Sequence, residues 1–273
     1  MSYQHSPKGK IFLIGAGPGD PDLLTIRAVK ALSICDVVLY DFLVGDEILG
    51  HCKPGAEKIF VGKHKGNHSL PQDDINSLIA HSAMKGKIVG RLKGGDPMIF
   101  GRGGEEYEAL MGLGLDCEII PGITAALGAA AALALPLTHR EYASEVTLIT
   151  GHRQKNGDYS RFRSLDFTQR TYVVYMGLTI IDELVREICR KNPNGASVPA
   201  AIIKDATLPT QEVYTAWVGK LPELAKEHNI QSPALIVIGN VVQFLEKYGK
   251  LDIAGGKCIS YGRVGDEPNS YTH

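Results

Sequence analysis

A two-domain α/β fold is the class this sequence predicts, and three observations predict it. The first is length: 273 residues exceed the commonest single domain, so two domains of about 130 residues each are expected. The second is a series of short runs that are apolar throughout, alternating with helical patterns: Lys10 to Gly15, Val37 to Tyr40, Lys58 to Val61, Lys87 to Leu92 and Cys117 to Ile120. Strands of that kind lie in a mainly parallel sheet with helices on both faces. The third is a change of pattern after a proline-marked turn at Leu135-Pro-Leu-Thr-His-Arg140, beyond which strand and helix signals no longer alternate.

Taken in order, the first strand ends in Gly15-Ala-Gly-Pro-Gly-Asp-Pro21, and Leu23, Leu24, Ala28, Ala31 and Leu32 then space themselves as one helix face. The clearest helix is Asp73 to Ala83, with Ser69 as a cap region and Pro71 near its start. The fourth strand stops abruptly in Gly94-Gly95-Asp96-Pro97, and Gly101, Gly103 and Gly104 open an acidic first helical turn. The fifth is followed by Pro121-Gly-Ile-Thr124 and a small-residue helix, Ala125 to Ala134. In the second half, Val146 to Thr150, Tyr172 to Met176, Val198 to Ile203, Glu212 to Trp217 and Ala234 to Ile238 read as strands, and Ile180 to Arg190 and Leu221 to His228 as helices. Glu212 to Trp217 alternates like a hairpin or edge strand, so this sheet is expected to be mixed. Arg153 to Arg170 is polar and aperiodic, a surface loop or flap, and the tail beyond Gly255 carries no usable signal. The expected division is 1–137, 138–250 and a tail 251–273.

Composition narrows the function. Hydrophobic residues at 44% and charged residues at 22% are ordinary for a globular protein. The balance of 29 basic against 30 acidic residues argues against coating nucleic acid through overall charge. Five cysteines, widely spaced and without a CxxC pair, predict neither a disulfide scaffold nor a metal site, and fit a reducing cytoplasm. No run of about 18 apolar residues predicts a membrane span, and the polar first nine residues lack the apolar middle of a secretion signal.

In an open parallel sheet, ligands collect beyond the carboxyl ends of the strands. The glycine loops after the first and fourth strands, and Pro121 to Thr124 after the fifth, belong at that edge. Gly15-Ala-Gly-Pro-Gly invites a nicotinamide-dehydrogenase reading with Asp41 as ribose acceptor. The spacing is GxGxG rather than GxGxxG, however, and Pro18 lacks the N–H a pyrophosphate wants. Lys63, His64, Lys65, Arg91, Lys93, Arg102, His139, Arg140, His152 and Arg153 all fall at loops or strand ends. Facing one cleft, they would trap a polyanion, with arginine forks matching carboxylates.

Several stretches also carry a family resemblance. Val-Gly-Lys at 61–63, Arg-Leu-Lys-Gly-Gly-Asp-Pro at 91–97, Phe-Gly-Arg-Gly-Gly-Glu-Glu at 100–106, Ile-Pro-Gly-Ile-Thr-Ala at 120–125, Pro-Leu-Thr-His-Arg at 136–140, Val-Tyr-Met-Gly at 174–177 and Pro-Ala-Leu-Ile-Val-Ile-Gly at 233–239 occur in order. Together they resemble the uroporphyrinogen-III C-methyltransferases among the tetrapyrrole methylases. The resemblance implies a two-domain, class III S-adenosylmethionine-dependent methyltransferase, usually a homodimer. Such an enzyme needs no metal and releases S-adenosylhomocysteine as it methylates uroporphyrinogen III twice, through precorrin-1 to precorrin-2, toward siroheme and cobalamin. It places Pro18, Gly94, Gly95, Asp96, Ile99, Thr124, Ala125, Met176, Ala206 and Gly239 around the donor. Arg102 becomes the catalytic candidate, read here as a carboxylate anchor, with Glu105, Arg140, His152 and Lys63 as further substrate contacts. Phe42 stands where many relatives carry Arg, and Asp205 where Asn is frequent. No dehydrogenase-like stretch precedes Gly9, so a stand-alone enzyme is the expectation, its partners a small tetrapyrrole and a second copy rather than nucleic acid or membrane.

Overall fold

The computed structural model describes residues 8–62, 70–152, 158–248 and 258–260. Two compact units divide the chain, Met1–Gly128 and Ala129–His273.

In unit 1 the strands are β1 Lys10–Gly15, β2 Val37–Tyr40, β3 Glu57–Phe60, β4 Val89–Lys93 and β5 Asp116–Ile120. They form one sheet in the order β3-β2-β4-β1-β5, every pair parallel. Its helices are α1 Ile26–Leu32, α2 Asp46–Leu49, α3 Gln72–Met84, α4 Gly103–Gly112 and the start of α5 Ala125–Leu133. Because side chains alternate along a strand, β1 sends Phe12 and Ile14 to one face and Ile11 and Leu13 to the other. The first face buries Ala28, Ala31 and Leu32 of α1 and Ile48 and Leu49 of α2. The second buries Ile75, Ile79 and Ala83 of α3 and Leu110 of α4. Both faces of the sheet are covered, which is why β1 and β2 are almost wholly apolar. Thr25 caps α1, its Oγ1 accepting from the Ala28 amide at 3.1 Å. α3 starts from Pro71 without a side-chain cap; Ser69, expected to help there, lies outside the described residues.

Unit 2 is a mixed sheet of β6 Glu145–Thr150, β7 Arg170–Tyr175, β8 Pro199–Lys204, β9 Glu212–Trp217, β10 Ala234–Ile238 and β11 Cys258–Ser260. The order is β11-β9-β8-β10-β7-β6. β8 and β9 make the expected antiparallel pair, but β9 is not an edge, since β11 runs parallel beyond it. The remaining helices are α6 Ile181–Lys191, α7 Leu221–Glu227 and α8 Val242–Tyr248. One core joins Tyr172, Val174, Ile202, Tyr214 and Ile236 to Leu184 and Ile188 of α6 and Leu224 of α7. Within the stretch read as a polar loop, Ser160–Ser164 forms a 3-10 turn that buries Phe162 completely in that core. No described helix is long and apolar enough to cross a membrane.

Candidate functional site

Three loops of unit 1 meet at the carboxyl edge of its sheet because β1 lies between β4 and β5. Gly17, after β1, and Gly95, after β4, exchange backbone hydrogen bonds of 3.2 and 2.6 Å. Asp96 spans to the third loop, its Oδ2 accepting from the Gly122 amide at 3.0 Å while Oδ1 accepts from Met98 N at 2.8 Å. Thr25 Oγ1 donates to Pro121 O at 3.4 Å from the same edge. The approach is so close that a Cβ on Gly122 would stand 2.2 Å from Gly95 O, and Gly95 itself has φ +68. Glycine is required at both positions. Pro18, Gly94, Gly95, Asp96, Thr124 and Ala125 are thereby gathered, and Thr124 precedes the first turn of α5.

The loop leaving β4 folds back on itself, with Gly103 N donating to Pro97 O at 2.9 Å. Asp96 and Arg102 therefore share one compact loop. Phe100 and Arg102 are left-handed, at φ 53 and φ 60, conformations that cost side-chain-bearing residues about 1–3 kcal/mol. Arg102 is exposed and pairs with Glu105, Nε to Oε2 at 2.6 Å. Met98, Ile99 and Phe100 put exposed apolar surface beside it.

Arg91 and Lys93 are not cleft cations, contrary to the sequence expectation. Strand alternation turns both toward α3 and α4, where only 4% of each is exposed. Glu106, fully buried, accepts on Oε1 from Arg91 Nε at 3.2 Å, Lys93 Nζ at 3.0 Å and Gln72 Nε2 at 3.0 Å. Burial, reinforced by Arg91, holds the Lys93 ammonium below the usual lysine range despite Glu106. Asp41, the ribose acceptor a dinucleotide reading needs, pairs instead with Arg91 at 3.6 Å and accepts from Leu43 N at 3.1 Å. Lys63, His64 and Lys65 lie outside the described residues.

In unit 2, Met176 follows β7 at φ 53 and is 44% exposed. Gly151, after the parallel β6, packs so tightly there that a Cβ would meet Met176 O at 2.6 Å. Ala206, after β8, lies at the same end of the sheet, since Lys204 pairs with Ala234 and Leu235 with Tyr175. Asp205 and Thr207 flank it at φ 49 and φ 71. Aspartate tolerates this conformation nearly as asparagine does, so Asp205 is accommodated where Asn is frequent. Gly239 does not join them: β10 runs antiparallel to β7, and Gly239 ends beside Arg170, where a Cβ would meet its carbonyl at 2.9 Å. Exposed Arg140 lies before the start of β6 and exposed His152 just after its end. Arg153 lies outside the described residues.

Of the eight described non-glycine residues with positive φ, Phe100, Arg102, Met176, Asp205 and Thr207 all sit in these loops. Such backbone conformations persist only where the surrounding structure over-determines them. No sequence signal announced it. Burial pushes the Cys35 and Cys117 thiols up to about 12, which leaves both as inert packing groups. Among the described residues no group of three or more His, Cys, Asp or Glu is arranged to hold a metal ion.

Unit 1 is thus an open, doubly covered parallel sheet of the class whose ligands lie beyond the strands' carboxyl ends. The sequence pattern of the tetrapyrrole (corrin/porphyrin) methylases matches residues 10–224, and the chain belongs to that family. Siroheme synthases from Thiobacillus denitrificans and Chromobacterium violaceum are 46% and 48% identical to it over 90% and 88% of its length. The chain spans about half the length of each, 51% in both cases. Among solved structures, uroporphyrin-III C-methyltransferase from Thermus thermophilus is 37% identical with a TM-score of 0.73, over 88% of this chain and 96% of that one. The same enzyme complexed with S-adenyl homocysteine gives 36% and 0.73, over 86% and 100%. A cobalt precorrin-4 methyltransferase is 28% identical with a TM-score of 0.74, over 85% and 95%.

Proposed function

We propose that this protein is an S-adenosylmethionine-dependent C-methyltransferase that methylates uroporphyrinogen III twice, through precorrin-1 to precorrin-2, in siroheme- and cobalamin-type biosynthesis. The observation that carries the reading is the meeting of the loops after β1, β4 and β5, fastened by the Gly17–Gly95 pair and the Asp96–Gly122 hydrogen bond. The fit to the donor rests on chemistry present at that edge. Asp96 is a half-buried carboxylate with lone pairs to spare for a ribose hydroxyl or an ammonium group. Gly94 and Gly95 offer close backbone, Ile99 an apolar wall, and Thr124 and Ala125 a helix start. The family resemblance adds Met176 and Ala206 as donor contacts, Met176 as a polarisable apolar surface.

When bound, S-adenosylmethionine supplies an electrophilic methyl group. The residues of the chain supply position, which is the main lever for a carbon nucleophile that needs little acid–base help. Arg102 anchors a substrate carboxylate. A guanidinium keeps its proton and is a poor base, whereas its fork suits a carboxylate. Glu105 is an acceptor for a pyrrole N–H, and Arg140, His152 and Lys63 are further contacts for a substrate with eight carboxylates. The reading includes a homodimer, which sedimentation of the purified chain checks, and a cytoplasmic location, which cell fractionation checks.

Calorimetric titration with S-adenosylhomocysteine, with NAD as the control ligand, tests the donor site. Saturable binding of the first and none of the second is expected. NAD binding without S-adenosylhomocysteine binding would return the chain to the oxidoreductase reading.

A further inference from the structure

Glu106 joins segments that the binding loops need in register. Its Oε1 takes hydrogen bonds from Gln72, the first residue of α3, from Arg91 in the middle of β4 and from Lys93 at its end. Arg91 in turn donates to Leu39 O at 3.5 Å and Leu92 O at 3.0 Å and pairs with Asp41 beyond β2. Lys93 immediately precedes the Gly94-Gly95-Asp96 loop, and Glu106 lies in the first turn of the helix that Arg102 caps. One carboxylate therefore touches the exit of the donor loop's strand and the entry of the substrate loop's helix.

We propose that Glu106 is a positioning residue, which clamps Lys93 against the first turn of α4 and so fixes the Asp96 end of the loop relative to Arg102. Its expected effect on turnover rests on the methyltransferase reading; its effect on loop order does not. A buried ion cluster is a poor device for stability alone, because desolvation consumes most of the attraction and apolar replacements serve as well. This one also reaches the loops, because Lys93 ends β4 and Glu106 lies in the first turn of α4. Glu106 Oε2 has no hydrogen-bond partner among the described residues, so all three donors are drawn to a single oxygen, the arrangement of a clamp rather than of balanced solvation.

The test uses the full chain, with Glu106→Gln and the double variant Lys93→Met/Glu106→Gln, which removes one charge of each sign. Thermal unfolding, kcat and KM for donor and tetrapyrrole, and amide hydrogen exchange over residues 94–98 and 103–106 are compared with wild type. The double variant is expected to melt near wild type while kcat falls on the order of 100-fold, the cost of a small misplacement. Exchange should accelerate in both segments and stay unchanged in β1. Wild-type kcat and exchange in a folded double variant would overturn the proposal. So would failure of the double variant to fold, which would assign Glu106 to stability. If wild type transfers no methyl group, the functional reading fails by itself, and the exchange comparison still decides the role of Glu106.

Discussion

The stretch from Arg91 to Glu106 contains two arginine–glutamate pairs that look alike in sequence and differ in everything physical. Arg91 and Glu106 are 5% and 0% exposed at the side chain; Arg102 and Glu105 are 56% and 59% exposed. The two glutamates are adjacent, but a residue turns about 100° around a helix. Glu106 thus points inward with Gly103 and Leu110, and Glu105 points to solvent. An exposed pair is worth only about 0–1 kcal/mol, so Arg102 can leave Glu105 for a substrate carboxylate at little cost. The interior pair cannot be released without stranding a charge. Proximity in sequence, then, says nothing about which pair is exposed and which is buried.

Breaking each pair sharpens the contrast. Glu106→Ala should be the most damaging change, costing about 3–5 kcal/mol by leaving Arg91 and Lys93 buried with Asp41 alone; urea unfolding measures it. A smaller loss would mean that the interior site is wetter than its burial indicates. Arg102→Ala should leave the free energy of unfolding within about 0.5 kcal/mol of wild type. It should raise the tetrapyrrole KM about 10- to 160-fold, the equivalent of roughly 1.5–3 kcal/mol of lost charged hydrogen bonding, with Arg102→Lys recovering only part. Steady-state kinetics at fixed donor decides this, and an unchanged KM would remove Arg102 from substrate binding. Thr25→Ala, at the same edge but remote from either pair, should cost about 1 kcal/mol as a lost helix cap and lower the denaturation midpoint accordingly.

The smallest effect concerns a third, partly exposed pair at the amino edge. Hydrogen bonding from Lys53 first, then from the Ile88 amide, holds the Asp36 carboxyl below the usual aspartate range. The folded-state pKa lies under the unfolded one. The contribution to stability is therefore complete above about pH 3.9 and fades as pH falls through the folded value. Asp36→Asn should flatten the acid limb of the stability-versus-pH curve and leave the neutral region nearly parallel to wild type.

These pairs also mark how far the sequence could be read. Both sheets were legible, because β1, β2, β9 and β10 are short apolar or alternating runs between turn residues, and they occur where the pattern puts them. β4 starts and ends later than its apolar run because it includes Lys93, whose compensating carboxylate comes from α4, thirteen residues away. That is a tertiary fact without a local signature. α2 spans four residues, too few to show a period, and β11 exists through its pairing with β9. Phe162 was hidden as one aromatic among polar neighbours. At the site, the glycine loops were legible because close backbone contact demands glycine at positions such as Gly95 and Gly122. The placement of Gly239 was not, because strand direction in a mixed sheet decides which end a terminal glycine occupies.

Methyl transfer to a polycarboxylate is the proposed purpose of the meeting of the three loops. An anaerobic assay that counts methyl groups added per uroporphyrinogen III tests it most directly. Two per substrate, passing through one, is the predicted result. S-adenosylhomocysteine bound with no methyl group transferred to uroporphyrinogen III would contradict it.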